Sequence, residues 1–209
     1  LLGMHPLGDG SGLVVRALLQ NAARVEVVPV HEPQKPSFVL EMLDARGLFE
    51  GTTTAAQRPF AYDLVITDYQ GNTRRTRDPY SFWPSLGETD LYLFGQGNER
   101  RIYDKLGAQL REVDGVPGVS FAVWAPEAQR VSVVGLFNNW DGRYHPMRRL
   151  GPTGIWEIFI PGVREGSHYK FELRGAAGDV FLKTDPFAFF AQHGIETGCM
   201  VYDIDRYGW

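Results

Sequence analysis

Short apolar runs separated by turn residues dominate the hydrophobic pattern of this chain. The runs are five to seven residues long and rich in Val, Leu and aromatic residues, and Gly, Pro, Asn or Asp interrupts them at strand-like intervals. None of them has the length and period of a long helix. The pattern predicts an all-β protein of sandwich type rather than a βαβ sheet. The predicted strands lie within residues 13–19, 24–30, 38–43, 62–67, 119–124, 130–136, 155–160 and 169–173.

The two halves of the chain are similar to each other. Residues 12–17 align with residues 118–123 at an offset of 106, and residues 47–50 align with residues 154–157 at an offset of 107. Both copies then close on an Asp-Pro-aromatic motif at the second of these offsets. Strand composition alone does not produce two nearly constant offsets and a shared ending. The sequence therefore predicts a tandem duplication of about 105 residues, each copy the size of an immunoglobulin-like sandwich.

The segment between the two copies differs from them in composition. We expect sandwiches at residues 1–87 and 115–209, joined by a short, partly helical connector at residues 88–114. Asn98 is the predicted N-cap of the connector helix, and Gly107 is its predicted stop. Because no Gly/Ser-rich or Pro-rich tract is present, we expect an ordered connector rather than a loose linker.

Composition and charge exclude several classes of protein. The 209 residues include 21 Lys and Arg against 25 Asp and Glu, a net charge of −4 that argues against sequence-independent nucleic-acid binding. Cys199 is the only cysteine, so neither an intrachain disulfide nor a Cys-based metal site is expected. No apolar run approaches the roughly 20 residues that span a bilayer, and no leader opens the chain. The sequence predicts a cytoplasmic protein with no nucleic-acid or membrane partner, and its ends, Leu1 and Trp209, suggest a piece of a longer chain.

Motifs for catalysis, metal binding and phosphate binding are missing from the sequence. The histidines lack the spacing of paired metal ligands, and neither a serine-nucleophile elbow nor a glycine-rich phosphate loop is present. Cys199 lies in an apolar run, where a buried, unreactive thiol is expected. We therefore predict no catalytic residue, no metal site and no cofactor in this chain.

Carboxylates are numerous, and glycoside chemistry needs only two that face each other across a bond. Asp141, Glu157 and Asp185 are the candidates. Glu157 has a counterpart in Glu50 and alternates with apolar neighbours, as a solvent-facing strand residue does. Asp185, like Asp78 in the first copy, precedes a proline, which ends a strand and redirects the chain. Structural roles explain both positions, so no catalytic pair is predicted.

One tryptophan has neighbours unlike those of a core residue. Trp140 follows Asn138 and Asn139 and precedes an Asp-Gly turn, whereas Trp124 and Trp156 lie among apolar strand residues and are predicted to be core. The apolar face of a sugar ring packs on an exposed indole while side-chain amides bond its hydroxyls. The pattern predicts a sugar platform, and a tryptophan that plugs the end of the sandwich remains the alternative.

Several ordered motifs resemble one known family. Residues 121–126, 131–135 and 137–142 are similar to the family 48 carbohydrate-binding module of bacterial glycogen branching enzymes, which belong to glycoside hydrolase family 13. The first copy resembles the extra amino-terminal domain of one subgroup of these enzymes. That second similarity rests on residues 2–6 and 78–82 and on the connector residues 86–91 and 103–108.

This resemblance implies a glucan-binding fragment of a larger enzyme. Such an enzyme cleaves an α-1,4-glucan and transfers the freed piece to a 6-hydroxyl, on a (β/α)8 barrel whose catalytic Asp, Glu and Asp would lie beyond Trp209. The family's glucan platform falls on Trp140 and its hydrogen-bonding lysine on Lys170, with Asn138 and Asn139 as neighbours. The implied partners are α-glucans (glycogen and maltooligosaccharides) and the enzyme's own catalytic barrel.

The sequence departs from the related glycogen-sensing modules at two places. Residues 178–181 lack their second tryptophan, and residues 196–199 lack their asparagine. These departures keep two alternatives open. First, the copies are either glucan-binding modules or purely structural modules that support a barrel. Second, the larger enzyme is either a branching enzyme or a relative that removes branches or forms trehalose.

Overall fold

Strands account for nearly all regular structure in residues 1–32, 34–192 and 198–206, which the computed structural model describes. The predicted all-β class is confirmed. Contacts divide the chain into two units, Leu1–Trp83 and Pro84–Trp209. Within the described residues, no helix has the length and apolar character that crossing a membrane requires.

The first unit is a seven-stranded antiparallel arrangement. One strand, β4, divides it into two faces, because its residues 38–40 pair with β3 and its residues 41–44 pair with β5. The alternation of β3 places Val25 and Val27 in the shared core. The strands are β1 (Gly3–Pro6), β2 (Leu13–Leu18), β3 (Ala22–Pro29), β4 (Phe38–Asp44), β5 (Leu48–Thr53), β6 (Tyr62–Asp68) and β7 (Thr73–Arg77), in the order β1-β2-β5-β4-β3-β6-β7.

The second unit has two sheets packed face to face. One sheet has the order β11-β12-β9-β8 and the other β10-β13-β16-β15, with β14 also paired to β13. Phe121 from the first sheet meets Tyr169 from the second at a ring-centroid distance of 5.0 Å. The strands are β8 (Gly107–Val113), β9 (Val116–Trp124), β10 (Arg130–Gly135), β11 (Arg148–Arg149), β12 (Ile155–Pro161), β13 (His168–Arg174), β14 (Val180–Lys183), β15 (Phe190–Ala191) and β16 (Cys199–Met200).

The change of sheet made by β4 is repeated in the second unit. Pro146 bridges Ser132 in β10, and two residues later β11 pairs with β12 of the other sheet. Each unit therefore passes one short segment from one face of its sandwich to the other, and the predicted tandem sandwich architecture is confirmed.

A buried tyrosine–aspartate hydrogen bond recurs in both units. The Tyr62 hydroxyl donates to Asp78 Oδ2 at 2.5 Å, and the Tyr169 hydroxyl donates to Asp185 Oδ2 at 2.6 Å. Both pairs span 16 residues and correspond at the offset of 107. All four residues are buried. In each unit the closing Asp-Pro motif thus ties the chain that follows β7 or β14 to a buried tyrosine of the strand with which it pairs.

The aromatic residue of each closing motif is fixed as well. The other carboxylate oxygen of each aspartate, Oδ1, accepts the backbone N–H of Tyr80 at 2.9 Å and of Phe187 at 2.8 Å. Each aromatic residue then lies against a glycine that opens a strand, Gly3 or Gly107, both with φ of +90°. A Cβ would lie 2.5 Å from Tyr80 Cβ at the first glycine and 2.9 Å from the Phe187 carbonyl oxygen at the second. Glycine is required at both positions by backbone conformation and by space.

The segment between the repeated strands packs within the second unit. Helix α1 spans Glu88–Gly95, because the Asp90 carboxylate accepts the Gly87 N–H at 2.9 Å and starts the helix there. The helix predicted to begin at Asn98 is wrong, since only a 3-10 turn follows, at Ile102–Asp104. Residues 107–113 form β8 of the sheet. The domain boundaries at 87 and 114 stay predictions.

Glu157 lies beneath this segment rather than in solvent, so its predicted exposure is wrong. The side chain is 2% exposed, and its Oε1 accepts the Ser85 N–H at 2.8 Å. A cluster that includes Leu86, Leu106 and Ala122 covers this outer face of the sheet. Burial raises the pKa of the Glu157 carboxyl above its ordinary value.

We expect Glu157→Gln to raise the melting temperature of the second unit by a few degrees at pH 8. The folded-state pKa of Glu157 exceeds its unfolded value, so its contribution is most favourable at low pH and is lost as pH rises through the folded pKa. Glutamine stays neutral, so the gain should shrink towards pH 4. Calorimetric scans between these pH values measure it.

Glu50→Gln is the matched control for this substitution. Glu50 aligns with Glu157 in the first copy but is partly exposed and ion-paired with Arg16, so its replacement should bring no gain at pH 8. A melting temperature of Glu157→Gln below that of the unmodified chain at pH 8 would contradict the burial argument, as would a gain independent of pH.

Candidate functional site

A tight turn after β10 brings Trp140 to the surface of the second unit. Residues Leu136–Asn138 form one 3-10 turn, after which Asn139 and Trp140 both adopt left-handed backbone with φ of 54° and 59°. The Trp140 N–H donates to the Gly135 carbonyl at 2.9 Å and closes the turn. The indole remains 39% exposed. Consecutive left-handed residues other than glycine are costly, and such strain occurs most often at functional sites.

The two neighbouring asparagines have different positions. Asn138 is buried, and its amide bonds inside the turn, where Oδ1 accepts the Gly135 N–H and Nδ2 donates to the Val133 carbonyl, each at 2.9 Å. Asn139 is exposed beside the indole. The structure therefore presents Asn139 at the surface with Trp140 and places Asn138 beneath them as a support.

Lys170 lies at the same end of β10. It pairs with Val134, next to the pair formed by Gly135 and Tyr169. Tyr169 and Phe171 on either side are fully buried, so the alternation of β13 turns Lys170 away from the core. The structure thus brings Lys170, Asn139 and Trp140 to one end of one strand pair.

The loop after Trp140 is fixed against the outer side of β13. Gly142 lies so close to Glu172 that a Cβ would be 2.3 Å from Oε1, and the same oxygen accepts from Arg130 Nη2 at 2.9 Å. Arg143 donates to both Asp141 oxygens, which lowers the pKa of that carboxyl. Asp141 is therefore a charged partner within the loop, and the space between Gly142 and β13 leaves no room for a side chain.

The exposure of a second tryptophan in the second unit was not expected from the sequence. Trp124 is 54% exposed, so its predicted core position is wrong, whereas Trp156 is buried as predicted. The Trp124 indole N–H donates to the Thr153 carbonyl at 3.1 Å, and Phe94 packs edge-on against the ring at 6.1 Å. Trp124 is the last residue of β9, and its apolar neighbours in the sequence do not cover its ring in the structure.

The remaining sequence candidates have structural surroundings. Cys199 is buried as predicted, and burial raises the pKa of its thiol. Across the described ranges, no group of three His, Cys, Asp or Glu side chains is arranged to hold a metal ion. His193 and residues 196–197, where the family asparagine was sought, lie outside the described residues, as does Trp209.

Comparisons with known proteins match each part of the chain. Residues 1–80 match the family described as alpha-1,4-glucan branching enzyme GlgB, N-terminal domain, and residues 105–188 match carbohydrate-binding module 48 (isoamylase N-terminal domain). The whole chain is 46% identical to 1,4-alpha-glucan branching enzyme GlgB of Myxococcus xanthus and 47% identical to that of Rubrobacter xylanophilus. It spans 28% of the length of each relative. A solved structure of PulA from Klebsiella pneumoniae aligns with 98% of this chain and 21% of its own length, at a TM-score of 0.41 and 17% sequence identity.

Proposed function

This chain corresponds to the amino-terminal region of GlgB branching enzymes, and on that premise we propose that its second unit binds α-1,4-glucan chains at Trp140. The supporting observation is the exposed Trp140 on a left-handed turn at the end of β10, with Asn139 next to it in the turn and Lys170 on the strand that pairs with β10. The flat, apolar face of a glucose residue stacks on the ring. The amide and ammonium groups donate to hydroxyls around its rim.

A single platform of this kind gives a weak site. Covering about 100–200 Å² of apolar surface contributes roughly 2.5–5 kcal/mol at about 25 cal/mol/Å². Association costs at least about 4 kcal/mol of lost freedom, which cancels most of that gain. Weak sites become effective when they are tethered beside other sites on the same polymer, because effective concentration then replaces intrinsic affinity. Such weak binding suits a module that holds glucan chains next to a catalytic domain.

The complete protein that carries this region is, in this proposal, a cytoplasmic 1,4-alpha-glucan branching enzyme. It cleaves α-1,4 links and transfers the freed chain to form α-1,6 branches of glycogen. The support is that two relatives, 46% and 47% identical over this region, are 1,4-alpha-glucan branching enzymes. Glycogen, maltooligosaccharides and the enzyme's own catalytic barrel are the partners that this proposal assigns. The same names favour a branching enzyme over a debranching or trehalose-forming one.

A purely structural role is the second candidate, and one observation favours it. The four residues of β14, where related modules place a second tryptophan, are exposed but contain no tryptophan. In this alternative the two sandwiches support and orient the barrel without binding glucan themselves.

Calorimetric titration of the chain with maltoheptaose separates these two roles. We expect weak, saturable binding with Kd of a few millimolar, because at most about 1 kcal/mol of stacking is left after the cost of association and a few hydrogen bonds add about 1 kcal/mol each. Cellohexaose, whose β-1,4 links give a flat ribbon instead of a curved chain, is the control and should bind at least about tenfold more weakly. Absence of saturable heat with maltoheptaose up to 10 mM would contradict glucan binding and favour the structural role.

A further inference from the structure

The turn that presents Trp140 depends on the buried amide of Asn138. Its Oδ1 accepts the Gly135 N–H, and its Nδ2 donates one hydrogen to the Val133 carbonyl. These two backbone partners fix which end of the amide is oxygen and which is nitrogen, because a flipped amide would face a donor with a donor. The second hydrogen of Nδ2 points at His145 Nδ1, 2.9 Å away.

This geometry determines the protonation of His145. Since Asn138 Nδ2 is a donor, His145 Nδ1 must be an acceptor and therefore carries no proton. The ring is then neutral, with its single proton on Nε2. Burial supports this state, because it lowers the pKa of His145 to about 4.

His145 is itself held in place by one contact of its ring and one hydrogen bond of its backbone. The Phe137 ring meets it edge-on at 5.8 Å, and Phe137 packs in turn on the core residue Phe121 at 6.0 Å. The His145 carbonyl accepts the Val133 N–H at 3.2 Å, which ties its backbone to β10. These contacts anchor His145 to the core, and the imidazole in turn holds the amide of Asn138.

We propose that His145 is a positioning residue for glucan binding, whose unprotonated Nδ1 holds Asn138 and thereby the left-handed turn that presents Trp140. The inference rests on the proposed function, because it assigns a purpose to the rigidity of that turn. Removing the acceptor leaves an Asn138 N–H buried without a partner, and the turn should relax to satisfy it. Trp140 then loses its fixed orientation, and glucan affinity falls without loss of the sandwich.

Two substitutions separate the acceptor from the bulk of the ring. His145→Asn places an amide oxygen near the position of Nδ1, whereas His145→Phe keeps a ring but has no acceptor. We expect His145→Phe to weaken maltoheptaose binding about tenfold, as one lost hydrogen bond to a buried group implies. His145→Asn should stay within about threefold of the unmodified chain.

Fluorine NMR of the chain labelled with 5-fluorotryptophan reports the turn directly. The Trp140 resonance, identified by its loss in Trp140→Phe, should shift or broaden in His145→Phe and return in His145→Asn. The resonance of the buried Trp156 should stay in place, with the melting temperature within a few degrees. If Trp156 moves equally and the melting temperature falls in both variants, the role of His145 is general folding, and the proposal is overturned.

Nitrogen NMR of the imidazole tests the inference independently of glucan. At pH 7 the ¹⁵N shifts of His145 should show a protonated Nε2 and a bare Nδ1, and a protonated Nδ1 would overturn the proposal. Different results would overturn the proposed glucan platform and the proposed role of His145. Unchanged affinity in Trp140→Ala contradicts the platform itself, whereas a loss in Trp140→Ala with none in His145→Phe contradicts only the positioning role.

Discussion

We expect Asp185→Ala to lower the free energy of unfolding of the second unit by about 3 kcal/mol. The substitution leaves the fully buried Tyr169 hydroxyl without its acceptor and removes the carboxylate that caps the Phe187 N–H. A buried, unsatisfied hydroxyl costs about 1–3 kcal/mol and a lost cap about 1 kcal/mol. Urea unfolding followed by fluorescence measures the change.

The repeat supplies an internal test of this prediction. Asp78→Ala should cost the first unit a similar free energy, because Asp78 accepts from Tyr62 and caps the following turn in the same way. Asp179→Ala, at an exposed aspartate in the β13–β14 turn, is the control and should change stability by less than about 0.5 kcal/mol.

A double-substitution cycle then isolates the hydrogen bond. Tyr169→Phe removes the orphaned donor, so it should cost less in the Asp185→Ala background than in the unmodified chain. A loss below about 0.5 kcal/mol for Asp185→Ala, or strict additivity of the two substitutions, would show that the Tyr169–Asp185 pair does not hold the sandwich together.

Strand periodicity and the internal repeat predicted most of the fold. Each predicted apolar run overlaps a strand, because the turn residues on either side limit each run to the length of a strand. The Asp-Pro endings were identified as structural by their recurrence. Their hydrogen bonds to Tyr62 and Tyr169 could not be predicted, since they depend on the register of the hairpins β6–β7 and β13–β14, which the sequence alone does not give.

The errors at Glu157 and Trp124 share one physical cause, which is that periodicity does not say what covers the outer face of a sheet. Glu157 alternates as an exposed residue does, but the segment around Leu86 and Leu106 covers it. Trp124 has apolar neighbours in sequence, but it lies at a strand end where its ring is uncovered. Both outcomes depend on contacts beyond the strand itself.

The sequence supplied the candidate site residues but not the residues that support them. Trp140 was predicted from its neighbours in sequence and Lys170 from the family resemblance, and the structure places them at one end of one strand pair. Asn138 and Asn139 are adjacent in sequence, yet the left-handed turn buries one and exposes the other. A histidine seven residues further along gives no local signal that it accepts from Asn138.

We expect Trp140→Ala to weaken maltoheptaose binding at least about tenfold, since losing more than about 1.4 kcal/mol of stacking already gives that factor. The substitution isolates the indole well. Both residues carry a Cβ, so the cost of the left-handed backbone at φ of 59° is similar before and after. The side chain is partly exposed, so the sandwich should keep its melting temperature within a few degrees.

Trp124→Ala is the matched control, because Trp124 is an exposed tryptophan of the same unit, distant in sequence from the turn. Its replacement should leave maltoheptaose affinity within about twofold. Losing affinity there would place the glucan on a different surface of the module.

Side-by-side calorimetric titration of the unmodified chain, Trp140→Ala and Trp124→Ala with maltoheptaose tests the central claim most directly. The account predicts saturable binding to the unmodified chain and to Trp124→Ala, and at least about tenfold weaker binding to Trp140→Ala. Equal affinity of Trp140→Ala and the unmodified chain would contradict it.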